Sequence, residues 1–370
     1  MDKIRLGVVG LGHRGRHMFG LSVENFENVL GVAACDLNEE FWTKPQIFPS
    51  NEKLSMRGRF PDVKFYADYD KMLDEAKLNA VLVETPADIH AEFCAKALKR
   101  NIAVLSDVPF ADSLEDAALL WKAASESKAL FMAGANPNEW GFIEALVDIH
   151  RQGLLGKPYY LEAEYIHDTR EYYKHTPWRA SGRMPIKYCT HSLGPLLRIL
   201  DEDLRKVSCV STGSQIEPDS KAGFHDHMTA HFTTESNVVL RLTISARNNA
   251  HIGPHSYRVF GTEGYFERFS GRGKIPAATF FSSNRLYGAR QLTELPVDTQ
   301  RSEFGAMGGI GHGGADYALC HRFYHALAGE GGAITLREGL RMSLPGIFAA
   351  ESAKRGGEVT TIRYPWESGI

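Results

Sequence analysis

Apolar runs alternate with helical spacing along the first 130 residues of the chain. Short apolar runs are typical of strands buried in a parallel sheet, and apolar positions three and four apart are typical of the helices that cover it. The predicted strands are Ile4–Val9, Val29–Cys35, Lys64–Tyr66, Ala80–Glu84, Ile102–Leu105 and Leu130–Ala133. The predicted helices include one that ends at Leu21, followed by Tyr69–Glu75, Ile89–Lys99 and Leu114–Ser127. This order predicts an α/β Rossmann domain with a doubly wound parallel sheet over residues 1–130.

The pattern changes to alternating apolar and polar residues beyond residue 130. After a predicted helix at Ile143–Ile149, the predicted strands are Tyr159–Tyr165, Lys206–Gly213, His227–Thr234, Val238–Ala246 and Ser256–Phe260. These strands predict an α+β domain with a large, mainly antiparallel open sheet over residues 131–370, for substrate binding and oligomerisation. The stretch Phe266–Gly314 is rich in Gly and Ser and is predicted to contain mobile loops. Leu336–Lys354 is predicted to be an amphipathic helix that is interrupted at Pro345.

The composition narrows the function classes. A chain of 370 residues exceeds one typical core, which agrees with two domains. The formal net charge of −3 disfavours a nucleic-acid surface, and no apolar run reaches the roughly 18 residues of a transmembrane helix. The chain enters a strand directly at Ile4, so we expect no signal peptide and a cytoplasmic protein without membrane or nucleic-acid partners. The five cysteines are scattered without C-x-x-C spacing, which disfavours a disulfide framework or a zinc site.

A glycine-rich turn joins the first predicted strand to the first predicted helix. Gly10, Gly12 and Gly15 follow the spacing G-x-G-x-x-G, with His13 and Arg14 inside it. The first glycine permits a tight turn, the second lets the backbone approach a pyrophosphate, and the third allows close packing of helix and strand. The helix N-terminus offers N–H groups to the phosphates. We therefore predict a dinucleotide site here.

An acidic residue follows the second predicted strand. Asp36 lies about 20 residues beyond the glycine turn, where a carboxylate can accept a hydrogen bond from the adenosine ribose 2′-OH. It would repel the 2′-phosphate of NADP, and Leu37 and Asn38 supply no cation to compensate. The sequence therefore predicts NAD as the cofactor.

Three further segments resemble motifs of the Gfo/Idh/MocA family of sugar oxidoreductases. Thr85-Pro86 with His90 is similar to the family's T-P-x-x-x-H turn beside the nicotinamide, and Asp107-Val108-Pro109 takes the place of its E-K-P. Gly261–Gly264 resembles the G-T-x-G turn of the second domain. The resemblance adds Thr85, Pro86, His90, Asp107 and Val108 to the predicted cofactor site. The sequence departs from the family at one position of this site. The lysine that assists proton transfer in the family is Val108 here, and valine cannot move a proton.

Four segments of the second domain are similar to the NAD-dependent α-N-acetylgalactosaminidases, a glycosidase branch of this family that also carries valine at that position. The segments are Glu164–Asp168, Trp178-Arg179, Tyr188–Pro195 and Gly311–Asp316. Ala133–Asn136 lacks an acid that the branch carries, and Cys189 replaces a proline. The segment between Arg179 and Tyr188 is also shorter than in the branch. We therefore do not carry over its sugar specificity.

This resemblance implies cleavage of a glycoside by reversible oxidation. Oxidation at the sugar C3 acidifies the proton on C2, the glycosidic bond breaks by elimination, water adds, and the ketone is reduced again, so that NAD is recycled. Such chemistry needs a proton donor–acceptor pair and polar anchors for the other hydroxyls. Tyr188 and His191 lie three apart and would share a helix face as that pair, although they can also be read as a structural pair. Tyr165 and His167 share a strand face as predicted substrate contacts, with Arg179 and His312 as further candidates; ordinary structural roles for these four are about equally expected.

Two other readings have less support. Cys189 could be a thiolate nucleophile, but a nucleophile needs an oriented base, and the flanking residues fit other roles. His225, His227 and His231 would share one strand face, yet such a set gives poor tetrahedral geometry for zinc, so we predict no metal site.

Three functions remain open from the sequence. The first is the redox-assisted glycosidase, the second a conventional NAD-dependent sugar or polyol dehydrogenase, which Val108 disfavours. The third is a non-catalytic NAD-binding regulator, against which the Tyr188 and His191 pair speaks. The expected partners are a small sugar or glycoside and further copies of the chain, as a dimer or tetramer.

Overall fold

The computed structural model describes residues 3–176, 179 and 183–367. The chain forms two compact units. Unit 1 contains the residues up to Gly134 together with Leu319–Arg337, and unit 2 contains Ala135–Ala318 together with the chain from Glu338 onward.

Unit 1 contains a six-stranded parallel sheet in the order β3-β2-β1-β4-β5-β6. Its strands are β1 (Ile4–Val9), β2 (Val29–Cys35), β3 (Lys64–Tyr66), β4 (Ala80–Val83), β5 (Ala103–Ser106) and β6 (Phe131–Ala133). Its helices are α1 (His13–Asn25), α2 (Glu40–Thr43), α3 (Met56–Arg59), α4 (Tyr69–Glu75), α5 (His90–Lys99) and α6 (Leu114–Ser125). Every residue of the central strands β4 and β5 is buried, as expected for a sheet covered on both faces. The predicted doubly wound α/β fold is confirmed.

Local sequence explains where the helices of unit 1 begin. The Asp68 side chain accepts a hydrogen bond from the Lys71 N–H and caps α4. Ser113 and Asp116 form a capping box at the start of α6, in which each side chain satisfies a backbone N–H of the other residue.

Unit 2 contains a nine-stranded mixed sheet in the order β14-β13-β12-β11-β7-β10-β9-β8-β15. Its strands are β7 (Pro158–Ile166), β8 (Leu204–Ser211), β9 (His227–Thr234), β10 (Val239–Ser245), β11 (His255–Gly261), β12 (Gly264–Phe269), β13 (Ala278–Ser283), β14 (Thr293–Leu295) and β15 (Thr360–Thr361). Its helices are α7 (Gly141–Arg151) and α8 (Thr190–Leu197). Two further helices, α9 (Ala315–Leu327) and α10 (Leu336–Lys354), have residues in both units. The central strand β7 pairs parallel with β10 and antiparallel with β11, and most other pairs are antiparallel. The predicted mainly antiparallel α+β domain is confirmed.

Three details differ from the sequence-based expectations. Residues 319–337, assigned from sequence to the second domain, belong to unit 1, where the Ala133 N–H donates to the Ile334 carbonyl. The segment Phe266–Gly314, expected to contain loops, also contains most of β12 and the whole of β13 and β14, which were not predicted as strands. The helix α10 continues through Pro345, because the buried side chains around it, such as Leu344 and Ile347, outweigh the missing N–H.

Within the described residues, none of the helices combines the length and the apolar character needed to cross a bilayer.

Candidate active site

The glycine turn of unit 1 has the geometry that its sequence predicted. Gly10 lies in the left-handed region at φ 87°, and a Cβ there would stand 2.5 Å from the Glu84 carbonyl oxygen. A Cβ on Gly15 would stand 1.8 Å from the Gly10 carbonyl oxygen. A Cβ on Gly12 would meet nothing within 4 Å, so the space beside this backbone is open. Two glycines are therefore needed for packing, and the middle one leaves room for a ligand.

The start of α1 is suited to an anion. Gly12 is its N-cap, makes no side-chain cap, and the first turn contains no acidic residue. The N–H groups of the first turn of a helix carry the positive end of the helix dipole. Glycine turn and helix N-terminus together fit the pyrophosphate of NAD. His13 and Arg14 are the first two residues of this helix.

Asp36 connects the end of β2 to the glycine turn. Its Oδ2 accepts a hydrogen bond from the Leu11 N–H at 2.6 Å, and its Oδ1 accepts one from the Asn38 N–H at 2.8 Å. A carboxylate has further lone pairs, so both oxygens can also accept from ribose hydroxyls. The half-buried carboxylate therefore fits the adenosine ribose of NAD.

The remaining predicted cofactor residues follow β4 and β5. The Nδ1–H of His90, at the start of α5, donates to the Thr85 carbonyl oxygen at 2.9 Å across the turn that contains Pro86, and burial lowers the pKa of His90. Asp107 lies 3.6 Å from the Arg14 Nε. Val108 is buried with 6% exposure, which places an apolar side chain where the resembled family has its lysine.

Five ring side chains lie together in unit 2: Tyr165, His167, Tyr188, His191 and His255. We call them the histidine–tyrosine cluster. The Tyr165 ring lies 5.8 Å from that of Tyr188, 6.1 Å from that of His191 and 4.6 Å from that of His255, measured between centroids. The structure thus brings together both pairs of residues that the sequence singled out.

The Tyr165–His167 pair joins two buried polar groups. The Tyr165 hydroxyl lies 2.8 Å from His167 Nδ1. Burial raises the pKa of Tyr165 well above its ordinary value, so its hydroxyl remains protonated. Burial, aided by the charge of Arg179, lowers the pKa of His167. His167 is therefore a neutral imidazole, and in the tautomer that accepts the Tyr165 proton at Nδ1 its Nε2–H can donate to a ligand.

The Tyr188–His191 pair is formed by a turn rather than by one helix face. α8 begins at Thr190, so Tyr188 precedes the helix and His191 lies in its first turn. The Tyr188 hydroxyl nevertheless lies 3.0 Å from His191 Nε2. The Tyr257 hydroxyl donates to the His191 carbonyl oxygen at 2.6 Å and fixes the backbone there. The pair is thus held in place to pass a proton between a phenol and an imidazole.

His255 was not identified from the sequence. It is the first residue of β11 and stands opposite Tyr165 of β7 in the antiparallel register, which explains why their rings stack. Its Nδ1 is buried and makes no hydrogen bond within the described part of the chain. Burial lowers the pKa of His255 to about 3, so the ring stays neutral. The available sequence signal was its place on the same strand face as the buried Tyr257.

Arg179 and His312 complete the set predicted from the sequence. The guanidinium carbon of Arg179 lies 5.7 Å from the centre of the Tyr188 ring; Trp178, the other member of its predicted motif, lies outside the described residues. The His312 Nδ1–H donates to the Asp316 carboxylate at 2.8 Å. The Trp140 indole N–H donates to the His312 carbonyl oxygen at 2.8 Å, and the Trp140 ring contacts His255 edge-on at 4.8 Å.

Cys189 is a buried structural residue. Its thiol has no exposed surface and donates to the Met342 carbonyl oxygen at 3.0 Å. Burial raises the pKa of this thiol to about 12, so it is not a thiolate at neutral pH. A Cβ on Gly346 would stand 2.4 Å from its sulfur, which shows how closely α10 packs against it.

The three histidines considered for zinc lie just before β9 and along it. His225 at Nδ1 lies 2.7 Å from the Ser211 hydroxyl, and His227 and His231 lie on the face of β9 that alternates with its buried residues. Among the described residues, no three His, Cys, Asp or Glu side chains lie close enough to hold a metal ion.

Two family descriptions match most of the chain. The oxidoreductase family with an NAD-binding Rossmann fold, Gfo/Idh/MocA, matches residues 4–135, and its C-terminal domain matches residues 143–267.

Individual relatives are more distant. Glycosyl hydrolase family 109 protein 1 of Akkermansia muciniphila is 29% identical over 221 residues, which is 56% of this chain and 44% of that protein. The protein of the same name from Bacteroides fragilis is 23% identical over 374 residues, 88% of this chain and 77% of that protein. The first match thus spans less than half of the relative's own length.

Solved structures share the fold. Myo-inositol 2-dehydrogenase from Lactobacillus plantarum superposes with a TM-score of 0.73 at 16% identity, over 98% of this chain and all of that chain. An oxidoreductase from Agrobacterium radiobacter, solved with NAD+, L-tartaric acid and magnesium, gives a TM-score of 0.77 at 15% identity, over 97% and 98% of the two chains.

Proposed function

The chain belongs to the Gfo/Idh/MocA oxidoreductase family and is an NAD-dependent enzyme, and we propose that it cleaves a glycoside through reversible oxidation at a sugar ring hydroxyl. The hydroxyl is that of C3, the bond broken is the glycosidic bond at C1, and NAD is regenerated in each turnover. When bound, NAD supplies a reversible hydride acceptor. The glycine turn, the N-terminus of α1 and Asp36 would hold it.

The proton chemistry belongs to the histidine–tyrosine cluster. The Tyr188–His191 pair would take the C3 hydroxyl proton during oxidation and release it to solvent, and would then take the C2 proton during elimination, since its hydrogen bond lets either group relay a proton to the other. The reverse transfers after hydration would return a proton to C2 and to the C3 oxygen. The neutral His167 Nε2–H would donate to another hydroxyl, and Arg179 would contact the sugar from the side of the Tyr188 ring. The observation that carries the proposal is the Tyr188–His191 pair at 3.0 Å, together with the buried Val108 in place of a lysine.

The names of the relatives support a glycosidase rather than a net dehydrogenase. Both relatives described above are glycosyl hydrolase family 109 proteins, whereas the dehydrogenase structures share only the fold.

Two products, followed together, test the proposal. Purified protein with NAD would be mixed with α- and β-linked aryl glycosides and with free sugars, while aglycone release and NADH absorbance are recorded. We expect aglycone release without net NADH. Steady NADH formation from free sugars would instead establish a conventional dehydrogenase.

A tyrosine variant tests the role of the cluster. Tyr188→Phe should lower the rate of aglycone release by about 100-fold or more, because the phenolic proton is lost. The matched control is Tyr287→Phe, since Tyr287 is 86% exposed, and it should leave the rate unchanged. A Tyr188→Phe variant as active as the original protein on every sugar would contradict the role given to Tyr188.

A further inference from the structure

His312 and Asp316 form a second histidine-containing hydrogen-bonded pair in unit 2. The Asp316 carboxylate has no exposed surface; its Oδ2 accepts the His312 Nδ1–H at 2.8 Å and its Oδ1 accepts the Asn136 amide N–H at 2.9 Å. The His312 side chain itself is 59% exposed. An imidazole whose Nδ1–H is held by a buried carboxylate gains and loses its second proton at Nε2. This arrangement orients the outer nitrogen of His312 for acid–base work.

The backbone around His312 is fixed in an uncommon conformation. His312 has φ 43°, in the left-handed region that side-chain-bearing residues rarely occupy. A Cβ on Gly314 would stand 1.7 Å from the Gly308 carbonyl oxygen, and one on Gly313 would stand 2.3 Å from the Thr299 hydroxyl. With the Trp140 hydrogen bond to the His312 carbonyl, these close contacts hold the loop in one place. Strain maintained by its surroundings is common at functional sites.

His312 belongs to the surroundings of the histidine–tyrosine cluster. Trp140 connects the two, because its N–H bonds to His312 and its ring contacts His255, which stacks on Tyr165. Besides burial, the charge of His312 contributes to lowering the pKa of both His167 and His255. His312 is therefore within electrostatic reach of two cluster histidines, and the Tyr188–His191 pair lies against the Tyr165 ring of the same cluster.

Elimination of a glycoside moves two protons in one step, one from C2 and one to the departing oxygen. Resting on the proposed function, we infer that His312 is the acid that protonates the leaving group, with Asp316 and Asn136 as positioning residues. The base removes the C2 proton, the C–H electrons form the C1–C2 double bond, and the C1–O bond breaks with its electron pair. The leaving oxygen takes the Nε2 proton of protonated His312 and departs as an alcohol or phenol.

The following hydration restores His312. Its neutral Nε2 takes a proton from water as the water oxygen bonds to C1, and C2 regains a proton. The net change is the addition of one water across the glycosidic bond, and both histidine pairs return to their starting protonation.

Leaving-group dependence tests this role. Aryl glycosides of one sugar, with phenols from dinitrophenol to unsubstituted phenol, would be compared for kcat/KM with NAD present. His312→Gln should lose about 100-fold on the phenyl glycoside and less than about 5-fold on the dinitrophenyl glycoside, because a stable phenolate needs no acid. Asp316→Asn should show the same trend with smaller losses. His325→Gln is the matched control, since His325 forms a similar pair with Glu330 at 3.2 Å in unit 1, and it should leave all rates unchanged.

Exchange of the C2 proton separates the outcomes. In D2O with NAD and the free sugar, wild type and His312→Gln should incorporate deuterium at C2 at similar rates, since this exchange needs no leaving group. Losses in His312→Gln and Asp316→Asn that are equal for all leaving groups, or absent, would overturn the role of His312 while leaving the proposed function intact. Absence of both C2 exchange and aglycone release in wild type would overturn the proposed function itself. Unchanged melting temperatures and NAD affinities would show that the variants are folded.

Discussion

The two regions that carry the function assemble their groups in opposite ways. At the glycine turn the contacts are made by backbone, and the residues that matter are close in sequence, with Asp36 as the one carboxylate that reaches back to the Leu11 N–H. In the histidine–tyrosine cluster the contacts are made by side chains. These come from the end of β7 and the residue after it, from β11, and from the turn before α8 and its first helical turn, and they meet through strand register and ring packing.

This difference decides how each region tolerates change. A backbone site depends on the absence of Cβ atoms and on the direction of N–H groups, so single methyl groups can alter it. The cluster depends on burial, which holds Tyr165 protonated and His167 and His255 neutral. Burial therefore sets the protonation states of the cluster, and burial of its histidines also makes the stability of the protein sensitive to pH.

The largest effect should come from two glycine substitutions that differ only in their surroundings. Gly15→Ala should destabilise the fold by about 2–4 kcal/mol, because its Cβ would overlap the Gly10 carbonyl oxygen. Gly12→Ala should leave the melting temperature of the NAD-free protein unchanged, since its φ of −62° suits any residue and its Cβ meets nothing. Its Kd for NAD should nevertheless rise by about 10- to 100-fold, because the methyl group occupies the space for the pyrophosphate.

Calorimetry of unfolding and titration with NAD measure the two effects separately. A Gly12→Ala protein that binds NAD as well as the original would show that the open space beside this turn is not the pyrophosphate site.

A smaller effect is expected at Asp36, the one side chain on which the backbone site depends. Asp36→Asn keeps an acceptor for the Leu11 N–H but loses the charge, so the NAD affinity should fall by about tenfold, as expected for one charge-assisted hydrogen bond. NADP affinity should rise, because the repulsion of its 2′-phosphate is removed. Titrations with both nucleotides test this, and equal binding of NAD and NADP by the original protein would contradict the role of Asp36.

The contrast also explains what the sequence could and could not predict. The glycine turn and Asp36 were predictable because one short motif has one local geometry. Tyr188 and His191 were predictable as a pair, although not the turn that joins them. His255 was missed because its partner is defined by strand register, which no local pattern contains. The strands β12 and β13 were missed because abundant Gly and Ser masked the alternation that buries Phe266 and Phe281.

A pH-dependent effect of a few kcal/mol is expected from the cluster. His255 has a folded-state pKa of about 3 and an ordinary unfolded value of 6.5. Below pH 6.5 the unfolded chain therefore takes up a proton that the folded chain cannot, and stability falls as the pH drops toward 3, by roughly 1.4 kcal/mol per pH unit at most. His255→Phe removes this dependence and keeps a ring against Tyr165. Its unfolding free energy should fall less than that of the original protein between pH 6.5 and 5.

The value at pH 8, where neither state protonates His255, serves as the internal control for lost packing. The lowered pKa of His167 acts in the same direction and remains in the variant, so a residual slope is expected. Parallel pH profiles for the two proteins would contradict the burial of a neutral His255.

The smallest effect is expected at Cys189. This residue lies between two cluster residues in sequence, but its side chain packs against α10. Its buried thiol, with a pKa of about 12, should resist iodoacetamide in the folded protein and react only after unfolding, as peptide mapping by mass spectrometry would show. Cys189→Ala should keep the rate of sugar turnover within about twofold and lose about 1 kcal/mol of stability through the small gap left by the sulfur. Alkylation of the folded protein at Cys189 with a matching loss of activity would instead place this thiol at the reacting surface. Cys189 would then be a neighbour of the cluster residues in space as well as in sequence.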